Sequence, residues 1–185
     1  MKHFLVTLFI LLNVVSYGQN KYDYVHFNKL IAVEGTEYVI ATIENRGKLF
    51  ETNGQYLLFI NTASGETKQV DFHKDAYIGN VEQIKIDSLD INLIILSART
   101  VDLNGKNSID WEDPTQIIIL TTGGKEKTQL TEDKFFVRTW IVNKETGKIV
   151  VTGHYDTNNN GKYDKTDKNE ILIYDLKTLK LTTKI

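Results

Sequence analysis

The stretch Asp102-Leu103-Asn104-Gly105-Lys106-Asn107-Ser108-Ile109-Asp110-Trp111-Glu112-Asp113-Pro114-Thr115-Gln116-Ile117-Ile118-Ile119 decides the fold, because it recurs 54 positions later. Asp156, Asn158, Asp164 and Asp167 fall on Asp102, Asn104, Asp110 and Asp113, and Ile171-Leu172-Ile173 falls on Ile117-Ile118-Ile119. A polar loop feeding an apolar strand has therefore been used twice. Read at the same shift, the preceding strand Ile95-Leu96-Ser97 matches Ile149-Val150-Val151. A looser copy precedes both, with Tyr38 to Glu44 and Tyr56 to Ile60 joined by a shorter loop.

Three units follow, 22–74, 75–131 and 132–185. Each offers strand, tight turn, strand, long polar loop, strand, Gly- or Thr-containing turn, strand. The strand assignments rest on short runs rich in Val, Ile, Leu, Phe, Tyr and Thr. These runs are Tyr38–Ile43, Tyr56–Ile60, Ile91–Ser97, Gln116–Leu120, Phe135–Val142, Lys148–Thr152 and Ile171–Tyr174. None holds a 3.6-residue period long enough for a helix. Turn clusters at Glu34-Gly35-Thr36, Ala63-Ser64-Gly65, Thr122-Gly123-Gly124 and Glu145-Thr146-Gly147 read as hairpin connections, so the strands are expected to be antiparallel. The fold class is all-β, with three four-stranded antiparallel units of propeller-blade size. A β-sandwich with internal similarity is the alternative.

Composition sets the outer bounds. The chain has 185 residues, 41% hydrophobic and 25% charged, with one proline and no cysteine, which excludes disordered, collagenous and disulfide-scaffold classes. A net charge of −2 argues against nucleic acid as a partner. Residues 1–18 read as an export signal: Lys2 and His3 precede the apolar run Phe4 to Val15, and Ser16-Tyr17-Gly18 ends in a small residue. That run is shorter than the roughly 20 residues of a spanning helix, so no membrane span is expected after cleavage. With no cysteine to carry a lipid, the protein is expected to be exported to the periplasm or secreted. Residues 19–185 then form one repeat domain stabilised by packing instead of crosslinks.

The run Ile117-Ile-Ile-Leu-Thr-Thr-Gly-Gly-Lys-Glu-Lys-Thr-Gln-Leu-Thr131 and its counterpart Ile171-Leu-Ile-Tyr-Asp-Leu-Lys-Thr-Leu-Lys-Leu-Thr182 resemble the blade signature of TolB-type and WD40-like β-propellers of the bacterial envelope. The resemblance covers nearly all of residues 19–185 and implies a propeller-like arrangement. The number of units departs from that family, since complete propellers have four to eight blades. Three units imply either a head-to-tail pair of chains completing a six-bladed ring or an open, sandwich-like stack.

The chemistry-bearing feature is the last long loop. Asp156, Asn158, Asn160, Asp164 and Asp167 stand at positions 1, 3, 5, 9 and 12, with Gly161 at 6 and the Lys162 carbonyl available at 7. This is the oxygen spacing of an EF-hand calcium loop, in which glycine permits the chain to wrap one ion. Position 12 is Asp instead of the bidentate Glu, and strands flank the loop, so it resembles dockerin-like loops of exported proteins. Lys162, Lys165 and Lys168 point to weak Ca2+ affinity, about 10⁻⁴ to 10⁻³ M as in extracellular modules. The simpler reading is a set of Asx turns needing no metal. The middle loop is a poorer candidate, because Lys106 and Asn107 replace the position-5 oxygen and the position-6 glycine.

No catalytic residues are assigned. His26, His73 and His154 lack zinc-ligand spacing, His154 reads as a strand residue beside the loop, and there is no nucleophile elbow or phosphate-binding glycine loop. Glu112 and Asp113 are expected to diverge or to serve the loop, and Trp111 and Trp140 to pack within blades. The expected function is an exported, non-catalytic binding or scaffold module that engages a protein, with self-association and glycan binding as further partner modes. The alternative is a small periplasmic cation-dependent hydrolase acting through Asp156, Asp164 and Asp167.

Overall fold

The computed structural model describes residues 27–43 and 55–185. The expected signal segment, His26 and the first long loop lie outside these residues. Sheet 1 holds β1 (Phe27–Ala32), β2 (Tyr38–Ile43), β3 (Tyr56–Asn61) and β4 (Thr67–Asp71). Sheet 2 holds β5 (Tyr77–Ile86), β6 (Ile91–Arg99), β7 (Gln116–Thr121) and β8 (Lys127–Gln129), and sheet 3 holds β9 (Phe135–Asn143), β10 (Lys148–Tyr155), β11 (Lys168–Asp175) and β12 (Lys180–Lys184). In each sheet the strands hydrogen-bond in chain order and antiparallel, with no exchange between sheets. The fold is all-β, and each four-stranded sheet falls within one expected unit. A two-sheet sandwich is ruled out, since three separate sheets form two cores.

The two cores explain a difference in pattern between the sheets. One cluster joins Ile40, Leu57, Phe59 and Val70 of sheet 1 to Ile94, Leu96, Ile118 and Leu120 of sheet 2. The other joins Ile95, Ile117, Ile119 and Leu130 of sheet 2 to Ile149, Val151, Leu172 and Tyr174 of sheet 3. Neighbouring residues of one strand point to opposite faces, so Ile94 and Ile95 serve different cores. Sheet 2 is covered on both sides, and its central strands are continuous apolar runs, Leu93-Ile94-Ile95-Leu96 and Ile117-Ile118-Ile119-Leu120. Sheets 1 and 3 each bury one face in this way, so burial alternates along their central strands, although Tyr56–Ile60 and Ile171–Tyr174 are apolar throughout. At about 1.5–3 kcal/mol for each fully buried Ile or Leu, these runs supply much of the drive to stack.

Pairing register refines the repeat. Ile95 lies opposite Ile119 in sheet 2, and Val150 lies opposite Ile173 in sheet 3. The counterpart of Ile95-Leu96-Ser97 is therefore Val150-Val151-Thr152, a shift of 55 and not the 54 that the sequence comparison suggested. The middle unit carries one extra residue between strand and loop, where Thr100 turns its amide and hydroxyl to Gln116 Oε1. Placing that residue outside the ladder matters, since a one-residue slip inside it would turn every side chain to the wrong face.

With the register corrected, each sheet has equivalent faces. The front face, toward the following sheet, carries Ile40, Leu57, Phe59 and Val70 in sheet 1, and Ile95, Ile117, Ile119 and Leu130 in sheet 2. Its counterpart in sheet 3 is Val150, Ile171, Ile173 and Ile185. The back face, toward the preceding sheet, carries Val81, Ile94, Ile118 and Leu120 in sheet 2, and Trp140, Ile149, Leu172 and Tyr174 in sheet 3. Its counterpart in sheet 1 is Leu30, Val39, Leu58 and Ile60.

Three of the hairpin turns are closed by one device. Asn61, Asn143 and Asp175 each accept backbone amides two and three residues on, and the fifth residue of each turn, Gly65, Gly147 or Leu179, takes a left-handed conformation. The turn after β7 adds a packing constraint: a Cβ on Gly124, at φ +66°, would sit 2.6 Å from the buried ring of Phe59, whereas one on Gly65 would meet nothing within 4 Å.

Leu96→Ala, which empties a wholly buried back-face position, is expected to cost about 2–5 kcal/mol in a urea melt. Gly65→Ala should lose only the left-handed backbone penalty of about 1–2 kcal/mol, and Gly124→Ala clearly more. Equal losses at the two glycines would mean that the Phe59 contact carries no weight.

Candidate functional site

The two long loops join β6 to β7 and β10 to β11 at the same end of their sheets, and a shared set of their hydrogen bonds repeats at the 54-position shift. Asp167 Oδ1 accepts the Thr157 amide at 3.0 Å and its Oδ2 the Asp164 amide at 2.8 Å. Asp113 likewise accepts the Leu103 amide at 2.9 Å and the Asp110 amide at 2.8 Å. The Asn160 amide is shared by Asp156 and Asn158, both at 3.1 Å, as the Lys106 amide is shared by Asp102 and Asn104. Asp164 takes the Thr166 amide, and Asp110 takes that of Glu112. Each loop is folded around its own acids. Glu112 turns away to pair with Lys106, while Asp113 is buried and serves the loop, as expected for that pair of acids.

Backbone conformation repeats as well. Gly161 and its counterpart Asn107 both have positive φ, 71° and 67°, as do Asn159 and Gly105. Asparagine thus meets the same conformational demand as glycine in the middle loop. Gly161 is needed for a second reason: a Cβ there would lie 2.8 Å from Asn104 Cα and 2.9 Å from Asn104 Cβ. The last loop rests directly on the middle one, so the two Asp-rich loops share one rim.

Five of the six residues expected to surround an ion, Asp156, Asn158, Asn160, Asp164 and Asp167, are tied into one network. Asp156 Oδ2 also takes the Gly161 amide, Asn160 Oδ1 takes the Lys162 amide, and the side-chain amides of Asn158 and Asn160 both donate to Asp164 Oδ2 at 2.9 and 2.8 Å. The Lys162 side chain is exposed. In this arrangement the asparagines turn nitrogen, not oxygen, toward Asp164, which is the pattern of self-closed Asx turns. Among the described residues no group of three or more His, Asp or Glu side chains is disposed to hold a metal ion. Hydrogen bonds from the hydroxyl and amide of Thr166, then from Asn158 and Asn160, hold the Asp164 carboxyl well below the usual carboxylate range.

Beside this network lies His154, on β10. Its ring is 4% exposed, stacks on Phe136 at 4.7 Å and meets Tyr163 at 4.2 Å, and neither nitrogen has a hydrogen-bond partner. Burial lowers its pKa, Asp167 and Asp156 counter that, and Arg138, whose guanidinium lies 4.8 Å over Tyr163, adds to the lowering. His73 is elsewhere, accepting the Asp75 amide beyond β4, so the two described histidines do not converge. Trp140 packs against the core as expected, but Trp111 does not: it stands 77% exposed between the loop acids Asp110 and Asp113. Its place inside a loop, instead of in an apolar strand, was the available signal.

No protein-family model matches the chain, and no curated protein matches it. Among solved structures, an acylaminoacyl peptidase from Pyrococcus horikoshii is similar over 88% of this chain and 25% of its own, at 9% identity and a TM-score of 0.46. The chain thus spans about a quarter of that protein's length. No helix among the described residues is long and apolar enough to cross a membrane.

Removing an anchoring carboxylate should loosen its loop, so Asp113→Ala and Asp167→Ala are each expected to cost about 1–3 kcal/mol by thermal melt. Thr166→Val should raise the Asp164 pKa, read by carboxyl NMR titration. Because that pKa is depressed in the folded protein, its contribution to stability is full above the ordinary carboxylate range and is lost as pH falls through the lowered value. An Asp164 that titrates like a free carboxyl would contradict the hydrogen bonding described.

Proposed function

We propose that this protein is an exported, non-catalytic binding or scaffold module, with the paired Asp-rich loops as its recognition rim and Ca2+ as a structural ligand of the last loop. The observation that carries the reading is the contact of the two loops at Gly161 and Asn104, each internally bonded, with Trp111 exposed on one and Tyr163 half exposed on the other. A surface ordered before its ligand arrives loses little entropy on binding. An exposed Trp on such a surface is the side chain most often found as a binding anchor. Protein is the favoured partner, and a glycan would use the same aromatic faces.

Calcium fits this scheme as reinforcement. Asp156, Asp164 and Asp167 bring three carboxylates, Asn158 and Asn160 bring amide oxygens once their side chains rotate, and Lys162 brings its carbonyl. The ion would exchange the Asn-to-Asp164 hydrogen bonds for direct coordination and so hold the loop more tightly. Affinity would be low, since the loop must first give up bonds of its own.

Calcium is expected to raise the melting temperature of the wild-type protein but not of Asp156→Ala, with no hydrolysis of chromogenic glycoside or phosphoester substrates in either case. An unchanged wild-type melt at millimolar calcium would remove the ion from the proposal, and calcium-dependent hydrolysis lost in Asp156→Ala would replace the module with the cation-dependent hydrolase.

A further inference from the structure

We propose that two copies of this chain associate front to back, the front face of sheet 3 in each packing on the back face of sheet 1 in the other, to close a ring of six sheets. The inference is independent of the ion-loop reading. It begins from the two contacts already present within the chain. Front-face positions are sealed in sheet 1 by sheet 2, where Ile40, Leu57 and Phe59 are wholly buried, and in sheet 2 by sheet 3, where Ile95 and Ile117 are. In sheet 3 the same positions are apolar and no sheet among the described residues covers them: Ile171 is 37% and Ile185 70% exposed, and Ile141, across from Val150, is 68% exposed.

The other end of the stack mirrors this. Back-face positions are buried as Val81, Ile94, Ile118 and Leu120 in sheet 2. In sheet 1 they are Leu30, 67% exposed, with Val39, Leu58 and Ile60 half-buried. Among the described residues the stack thus presents one front and one back with no sheet against it, carrying residue types that twice meet each other inside it. The matching occupant is another sheet of the same series, and a second copy supplies both faces at once.

Of the two edges of each sheet, the one formed by β4, β8 and β12 is short and carries Lys68, Lys127, Lys180 and Lys184, the charges that discourage pairing along an edge. Front-to-back contact is heterologous, so it must close into a ring or grow without limit. Propellers of this sheet size close at about four to eight blades, and six is the one multiple of three in that range.

Light scattering on the eluting wild-type protein, run with calcium and again with chelator, should give twice the chain mass in both. Ile185→Asp on the front face and Leu30→Asp on the back face, both at exposed positions, should each give a single-chain mass with an unchanged far-ultraviolet spectrum. An equimolar mixture of the two variants should regain the two-chain mass, because one front-to-back contact then remains intact. Ile171→Asp and Leu58→Asp repeat the test should either first variant lose its fold. A wild-type monomer at the highest soluble concentration would overturn the proposal. So would a dimer indifferent to both substitutions, a mixture that stays monomeric, or masses that climb past two chains.

Discussion

Everything in this molecule depends on a sheet with no wet side. The strands β6 and β7 run through the centre of sheet 2 with adjacent isoleucines and leucines facing opposite ways, and only a sheet on either side can satisfy both. That requirement sets the order of the stack, with burial alternating along the central strands of sheets 1 and 3 but not along those of sheet 2. It also places the loops. Because β6 to β7 and β10 to β11 run in equivalent positions of adjacent sheets, their long connections emerge side by side, close enough for Gly161 to rest on Asn104.

The rim is ordered by a different physics. The acids there do little against one another; they replace a missing ladder by accepting backbone amides that would otherwise be unpaired. Asp113 and Asp167, both buried, each bridge two parts of a loop ten residues long. Charged acceptors of this sort are worth more than neutral ones, which accounts for acids at positions where either amide or acid could accept. The Asp-rich composition is thus explained by loop architecture before any ion is invoked, while the nitrogens of His154 and Asn104 Nδ2 are buried at the rim without a hydrogen-bond partner among the described residues.

Much of the fold was legible in the chain because repetition made weak signals add. The 54-residue echo of Asp102 to Ile119 located the loops and their strands, and the clusters Ala63-Ser64-Gly65, Thr122-Gly123-Gly124 and Glu145-Thr146-Gly147 marked hairpins, while the part of Asn61, Asn143 and Asp175 in closing turns went unread. The strand before each loop was misaligned by one residue, since Ile149, Val150 and Val151 are all plausible partners for an apolar run and only pairing register separates them. The rim was legible as composition but not as contact: nothing in the spacing of Gly161 says that Asn104 lies against it. Trp111 went unread as an exposed residue because an aromatic was assumed to be core without asking which element held it.

Strand pairing confined to chain neighbours has a consequence for how the molecule comes into being. Every hairpin closes locally, a topology that favours rapid folding. Sheet 2 nevertheless cannot wait alone in water, and it is exposed on one face for as long as sheet 3 is incomplete. Synthesis from the N-terminus releases sheet 1 first, so a template for one face of sheet 2 exists before its strands appear, and the interval of greatest aggregation risk falls between the emergence of Ile117-Ile118-Ile119 and the closing of β10 on β11. Truncation after sheet 2 would make that interval permanent.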